Sequence, residues 1–123
     1  MRATVVKRVS FDAAHFLPDY PGKCSVMHGH HWVVELGVSG DIDPVTGMVI
    51  DFTTLNSFLE HEVVDRFDHS LVNDTVKNST AENIATWILN SWYMWSEDLG
   101  IDVEVAFVRV WETPDSYAEI RCE

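Results

Sequence analysis

From His28 onward the chain alternates strictly. His28, His30, Trp32, Val34, Leu36 and Val38 share one parity, and His31, Val33, Glu35 and Gly37 share the other. A period of two predicts an extended strand, here running to about Ser39, with one face turned to a core. The two histidines share one face, about 6.5 Å apart along the backbone, so they can converge on one ion. With His15 from a neighbouring strand they form a cup of three imidazole nitrogens. Such a cup suits zinc, a borderline cation whose catalytic sites keep a fourth position open. Cys24, at the head of the run Cys24-Ser-Val-Met-His28-Gly-His30, is open to two readings, a fourth ligand or a reactive thiol. The competing reading of the whole run is a surface loop carrying polar histidines.

The rest of the chain supplies elements that can bury that face. Residues 3–15 read as a strand in which Val5, Val9, Phe11 and Ala13 share the parity of Lys7 and His15. Residues 16–27, with Pro18, Pro21 and Gly22, form a loop. After a connection at 40–47 and a short extended piece at 48–50, the period changes to 3.6. Asp51 is placed to cap a helix in which Phe52, Leu55, Phe58, Leu59, Glu62 and Val63 recur near 3.6 residues, ending near 65–67. A capping box starting at Ser79 and closing at Glu82 opens a second helix to about Glu97, with Ile84, Trp87, Ile88, Trp92 and Trp95 as its apolar side and Gly100 as its left-handed stop. Residues 101–111 alternate again, with Ile101, Val103, Val105 and Phe107 on one side. Thr113-Pro-Asp-Ser116 turns the chain into a last strand at 117–122.

The order ββααββ predicts an α+β domain spanning 1–123, a four-stranded antiparallel sheet with two helices on one face. Apolar residues on both strand parities predict that the other face and the sheet edges are covered by further copies of the chain, in a symmetric homo-oligomer. The formal charge of −12, 20 acidic against 8 basic residues, argues against a nucleic-acid partner, which needs a basic footprint. There is no run of 18 apolar residues and no basic-then-apolar N-terminus, so no membrane association is expected and the location is read as cytoplasmic. A disulfide between Cys24 and Cys122 is not expected, because a thiol beside a histidine cluster is more often chemical than structural.

Several short motifs recur here in a fixed order: Phe11-Asp-Ala-Ala-His15, Cys24-x-x-x-His28-Gly-His30, Asp51-Phe52, Asp68-His69-x-Leu71-x-Asn73, Thr80-Ala-Glu82-Asn83 and Trp111-Glu112-Thr113. Together they resemble the family of 6-pyruvoyltetrahydropterin and 6-carboxytetrahydropterin synthases, over nearly the whole chain. The resemblance implies the tunnelling fold, in which trimers close their sheets into a barrel and two trimers stack as a hexamer with active sites between subunits. It implies zinc (Zn2+) on His15, His28 and His30, and a catalytic Cys24 acting with Asp68 and His69. Glu112 is implied to anchor the pterin ring, with Thr113 adding a contact. Thr80 and Glu82 could reach a neighbouring subunit's pocket, although capping a helix also accounts for them.

The implied substrate is 7,8-dihydroneopterin triphosphate, whose phosphates need cationic or N–H partners; Lys23, His31, Arg109 and Arg121 are the candidates. The implied enzyme is a zinc-dependent lyase that needs no nicotinamide or flavin, since reduction of the ring is matched by oxidation of its side chain. Two products are possible. The 6-carboxy reaction releases acetaldehyde and triphosphate on the way to queuosine and other 7-deazapurines; the 6-pyruvoyl reaction releases only triphosphate. The short chain and the compact cysteine-to-histidine spacing favour the 6-carboxy reaction. A protein of the same fold that binds zinc and pterin without turnover is the alternative from a different functional class.

Overall fold

In a computed structural model, which describes residues 1–122, two long strands open the chain: β1 (Arg2–His15) and β2 (His28–Asp41). The helical segment that follows consists of α1 (Phe52–Phe58), a π-helical stretch (Leu59–Val64) and α2 (Asp65–Phe67). A second helix, α3 (Ala81–Asp98), leads to β3 (Glu104–Thr113) and β4 (Ser116–Arg121). The strands form one antiparallel sheet in the order β1-β2-β3-β4. Both helical layers cover the same face, as the order of periods predicts. The core between them holds Phe11, Trp32, Val34 and Leu36 from the sheet, with Leu55, Phe58, Phe67, Ile84, Ile88 and Trp92 from the helices.

The π-helical stretch has a packing cause. Leu55, Leu59, Val63 and Phe67 are all fully buried at a constant spacing of four. In an α-helix each four-residue step overshoots a full turn by about 40°, so three steps would carry the stripe about 120° away from the sheet. The wider π turn takes up that drift and keeps all four on the core. Asp51 caps α1 as the sequence predicts, its carboxylate accepting from the Thr53 N–H at 2.8 Å. The helix α3 ends in a paired hydrogen-bond motif, Gly100 N–H to Glu97 O and Ile101 N–H to Ser96 O, with Gly100 at φ 68°.

Four expectations are corrected. The cap of α3 is Thr80, which accepts from the Asn83 N–H at 3.1 Å, and not Ser79, whose hydroxyl is buried elsewhere. Residues 48–50 form no strand. The strand expected from Ile101 begins at Glu104, and its parity flips at a bulge, because Gly37 pairs with Phe107 while Val38 pairs with Val105. Val105, Val108 and Val110 therefore face the helices, and Phe107, Arg109 and Trp111 face the other side. That other side carries a polar network beside its aromatic rings. Phe107 lies across Gly37, the Arg109 guanidinium stacks on its ring at 4.2 Å, and Glu35 is buried among Trp111, Arg8 and Arg109.

Gly37 is required by that packing, since a Cβ there would lie 2.5 Å from the Phe107 ring. Gly37→Ala should cost about 1–3 kcal/mol by overpacking. Phe107→Leu in the same chain should return part of that loss. Urea unfolding of the two variants and the double variant measures the coupling, and strictly additive losses would show that the ring is not the obstacle.

Candidate metal centre

The register of β1 and β2 pairs His15 with His28 and Ala13 with His30. All three histidines fall on the helix-facing parity, at the end of the sheet. Their rings stand edge to face, with centroids 4.6 Å apart for His15 and His28, 5.2 Å for His15 and His30, and 4.8 Å for His28 and His30. The Trp32 indole forms the floor, set edgewise beneath His15 and His30 and tied to the Ala13 carbonyl by its N–H at 3.1 Å.

The partners of the histidines decide which nitrogen is free. His15 Nδ1–H donates to the Ser79 carbonyl at 2.9 Å, and His28 Nδ1–H donates to the Val26 carbonyl at 2.7 Å. A carbonyl only accepts, so each bond assigns the proton to Nδ1 and turns the Nε2 lone pair toward the cluster. Burial lowers the pKa of both His15 and His30 below the ordinary 6.5, with Glu112 opposing the shift, so both rings are neutral near pH 7. Yet Glu112 Oε1 lies 3.1 Å from His15 Nε2 and 3.3 Å from His30 Nε2, and neither nitrogen, buried as it is, has a hydrogen-bond partner. An imidazole lone pair facing a carboxylate oxygen calls for a cation between them. The four donor atoms of His15, His28, His30 and Glu112 all lie within 4.8 Å of one another. Nitrogens about 3.4 Å apart would complete a tetrahedral zinc site, so a small contraction suffices. The residues present fit a zinc ion.

Other residues named from the sequence fall into two groups. Asp68 and His69 form a dyad, Asp68 Oδ2 to His69 Nδ1 at 2.9 Å. The free edge of β1 holds it: the Asp12 N–H donates to Asp68 Oδ1, the His69 N–H to the Asp12 carbonyl, and the Ala14 N–H to the Ser70 carbonyl. The Asp12 N–H first, and the His69 imidazole second, lower the Asp68 carboxyl below its usual pKa. His69 has φ 57°, the left-handed region that non-glycine residues seldom occupy, and its side chain is 82% exposed. It lines a cavity of about 530 Å³ together with Asp12, His30 and His31. Cys24 lies in a short 3₁₀ turn (Lys23–Ser25), its carbonyl accepting the Leu17 N–H, and it lines neither that cavity nor the neighbouring one. Both cysteines are free thiols.

The neighbouring cavity, of about 450 Å³, lies where β2 overshoots the end of β3. His30, His31, Trp111, Glu112, Thr113 and Arg8 are among its walls. Glu112 thus belongs to the metal cluster and to the cavity at once, a position its sequence context did not reveal. Two further residues were missed. Ser79 Oγ–H donates to the Phe16 carbonyl at 3.1 Å, and the Asn73 amide both donates to that carbonyl and accepts the Phe16 N–H, which clamps the chain just beyond His15.

Residues 4–123 match the profile described as 6-pyruvoyl tetrahydropterin synthase. The chain belongs to that family. It is 41% identical over 112 residues to an Archaeoglobus fulgidus protein provisionally named 6-carboxy-5,6,7,8-tetrahydropterin synthase, covering 91% of this chain and 90% of the relative. It is 31% identical over 140 residues to the 6-carboxy-5,6,7,8-tetrahydropterin synthase of Haemophilus influenzae, covering 94% and 96%. The solved Caenorhabditis elegans 6-pyruvoyl tetrahydropterin synthase superposes with a TM-score of 0.85 at 26% identity, over 100% of this chain and 97% of that one. The sheet and helices described above are the family's tunnelling-type fold. No helix among the described residues is long and apolar enough to cross a membrane.

In the metal-free protein the lowered histidine pKa values carry a definite sign. Below about pH 6.5 the unfolded chain binds protons that the folded site refuses, so stability rises with pH through that window and levels off above it. The melting temperature of chelator-treated protein should therefore fall between about pH 7 and pH 5.5, and His30→Asn should flatten the slope. An unchanged slope in the variant would contradict this assignment. Zinc should raise the melting temperature of the wild type, and by less in His15→Ala.

Proposed function

We propose that the protein converts 7,8-dihydroneopterin triphosphate to 6-carboxy-5,6,7,8-tetrahydropterin, releasing acetaldehyde and triphosphate, in 7-deazapurine biosynthesis in the cytoplasm. The observation that carries this reading is the metal cup opening, through Glu112, into a cavity of a size for a bicyclic ring. The names of the Archaeoglobus and Haemophilus relatives support the 6-carboxy product over the 6-pyruvoyl one.

His15, His28 and His30 would hold the zinc, which when bound supplies Lewis-acid polarisation of substrate oxygens. Glu112 and Thr113 would orient the pterin, a carboxylate accepting two parallel N–H donors from the ring edge. Proton movements at the substrate side chain fall to Cys24 Sγ as base and to His69 Nε2, which Asp68 leaves free by holding Nδ1. Desolvation by a covering surface would strengthen each of these contacts.

That surface is supplied, in this reading, by other copies of the chain in a homohexamer of two stacked trimers. The outward-facing His69, the absence of Cys24 from the cavity that His69 lines, and the edge position of β4 support a site completed between copies. Cys24→Ala and His69→Asn should each lower turnover by about 10²- to 10⁴-fold while zinc content is kept. Asparagine tolerates the left-handed backbone at position 69. Co-expression of the two variants should restore a measurable part of the activity, because mixed assemblies contain some sites with both wild-type groups. No recovery above the single variants would place Cys24 and His69 in one copy.

Product analysis of the zinc-loaded protein tests the main reading. Acetaldehyde in step with triphosphate is the expected result. A pyruvoyl product without aldehyde would replace it with the 6-pyruvoyl reaction, and pterin binding without substrate loss would replace it with the non-catalytic alternative.

A further inference from the structure

The arginines of this acidic chain are unevenly placed. On the sheet face turned away from the helices, Arg8, Arg109 and Arg121 form one connected set with Glu35 and Glu119. Three guanidinium groups against two carboxylates leave this set one positive charge, on a chain whose formal charge is −12. Within the set the charges are not equally committed. Glu119 is taken by Arg109 through Nε and by Arg121 at 2.9 Å. Glu35 is buried; its Oε1 accepts the Trp111 indole N–H at 2.6 Å and lies 4.0 Å from Arg109, and its Oε2 meets Arg8 at 3.3 Å through one terminal nitrogen.

Arg8 is therefore held at a single nitrogen while the rest of its fork is free, and its side chain is 62% exposed. Among the described residues it is also the one Lys or Arg lining the cavity that reaches the metal cup through His30 and Glu112. Arg109 and Arg121, which the sequence suggested as phosphate partners, do not line it; of those candidates only His31 does, with Nδ1 bonded to Asp12 Oδ1 at 2.8 Å.

We propose that Arg8 is the anchor for the phosphate chain of the substrate, and that Glu35 is the positioning residue that aims it. A guanidinium offers planar paired donors matched to phosphate oxygens. The cavity joins it to the metal cup, so one ligand can span a ring held at Glu112 and an anionic tail held at Arg8. This inference rests on reading the site as one for a pterin triphosphate; free polyphosphate offers the same chemistry.

The test uses zinc-loaded wild type, Arg8→Gln, Arg8→Lys and Glu35→Gln. Calorimetric titration with inorganic tripolyphosphate and with neopterin, which lacks phosphates, is compared with KM for dihydroneopterin triphosphate. Arg8→Gln should weaken tripolyphosphate binding and raise KM about tenfold, a loss that shrinks at high salt, while neopterin binding stays unchanged. Arg8→Lys should recover part of the loss. Glu35→Gln should raise KM more than it lowers kcat. Unaltered tripolyphosphate binding in Arg8→Gln would overturn the proposal, as would an equal loss of neopterin binding. If the wild type fails to turn over the pterin triphosphate, the enzymatic reading falls. Arg8-dependent binding of tripolyphosphate would then still establish an anion site, one for free polyphosphate in place of a substrate tail.

Discussion

The pairing of β1 with β2 is the constraint on which the rest depends. It runs without interruption from Arg2 opposite Asp41 to His15 opposite His28. The same parity that buries Val9, Phe11 and Ala13 against Trp32, Val34 and Leu36 aims His15, His28 and His30 at one point. A slip of one residue would send the apolar set to the bare face and scatter the histidines with it. Core packing thus sets the register, and the metal centre is its consequence at the strand end. The outer edge of β1 is used as well, because the Asp12 and Ala14 backbone groups carry the segment that presents Asp68 and His69.

Around this frame, polar groups do orienting work that apolar packing cannot. The Ser79 carbonyl and the Val26 carbonyl select the tautomers of His15 and His28, so the cluster is preorganised to receive a cation and no rotation of a ring is needed. On the opposite face a carboxylate is buried with no helix above it. Glu35 bears that desolvation because an indole N–H and two guanidinium groups surround it. Phe107, set across Gly37, and Trp111 provide the apolar cover. That face carries an ordered polar network, and a cavity opens at one end of it.

Much of this was legible in the chain alone, and the misses share one cause. Strand and helix periods, the Asp51 cap, the Gly100 stop and the shared parity of His28 and His30 are local properties, written within a few residues by sterics and side-chain alternation. Ser79 and Thr80 are equally good caps by local rules. The choice went to Thr80 because the buried Ser79 hydroxyl is bonded to the half-buried Phe16 carbonyl, a demand from the other end of the fold. The parity of β3 reads cleanly from Ile101 to Phe107, yet the bulge beside Gly37 reverses it from Phe107 onward. That reversal places Glu112 on the metal side and Trp111 beside Glu35.

The sequence by itself determined the order of elements, the face on which the histidines stand and the family to which the chain belongs. Only the tertiary structure decided that Glu112 meets His15 and His30, that Cys24 is not among the walls of the cavity His69 lines, and that Arg8 shares a cavity with the metal cup. Alternation is imposed by backbone geometry between neighbours, whereas meetings between residues 8, 30 and 112 depend on how strands pair and where one strand outruns another. No local pattern encodes those distances.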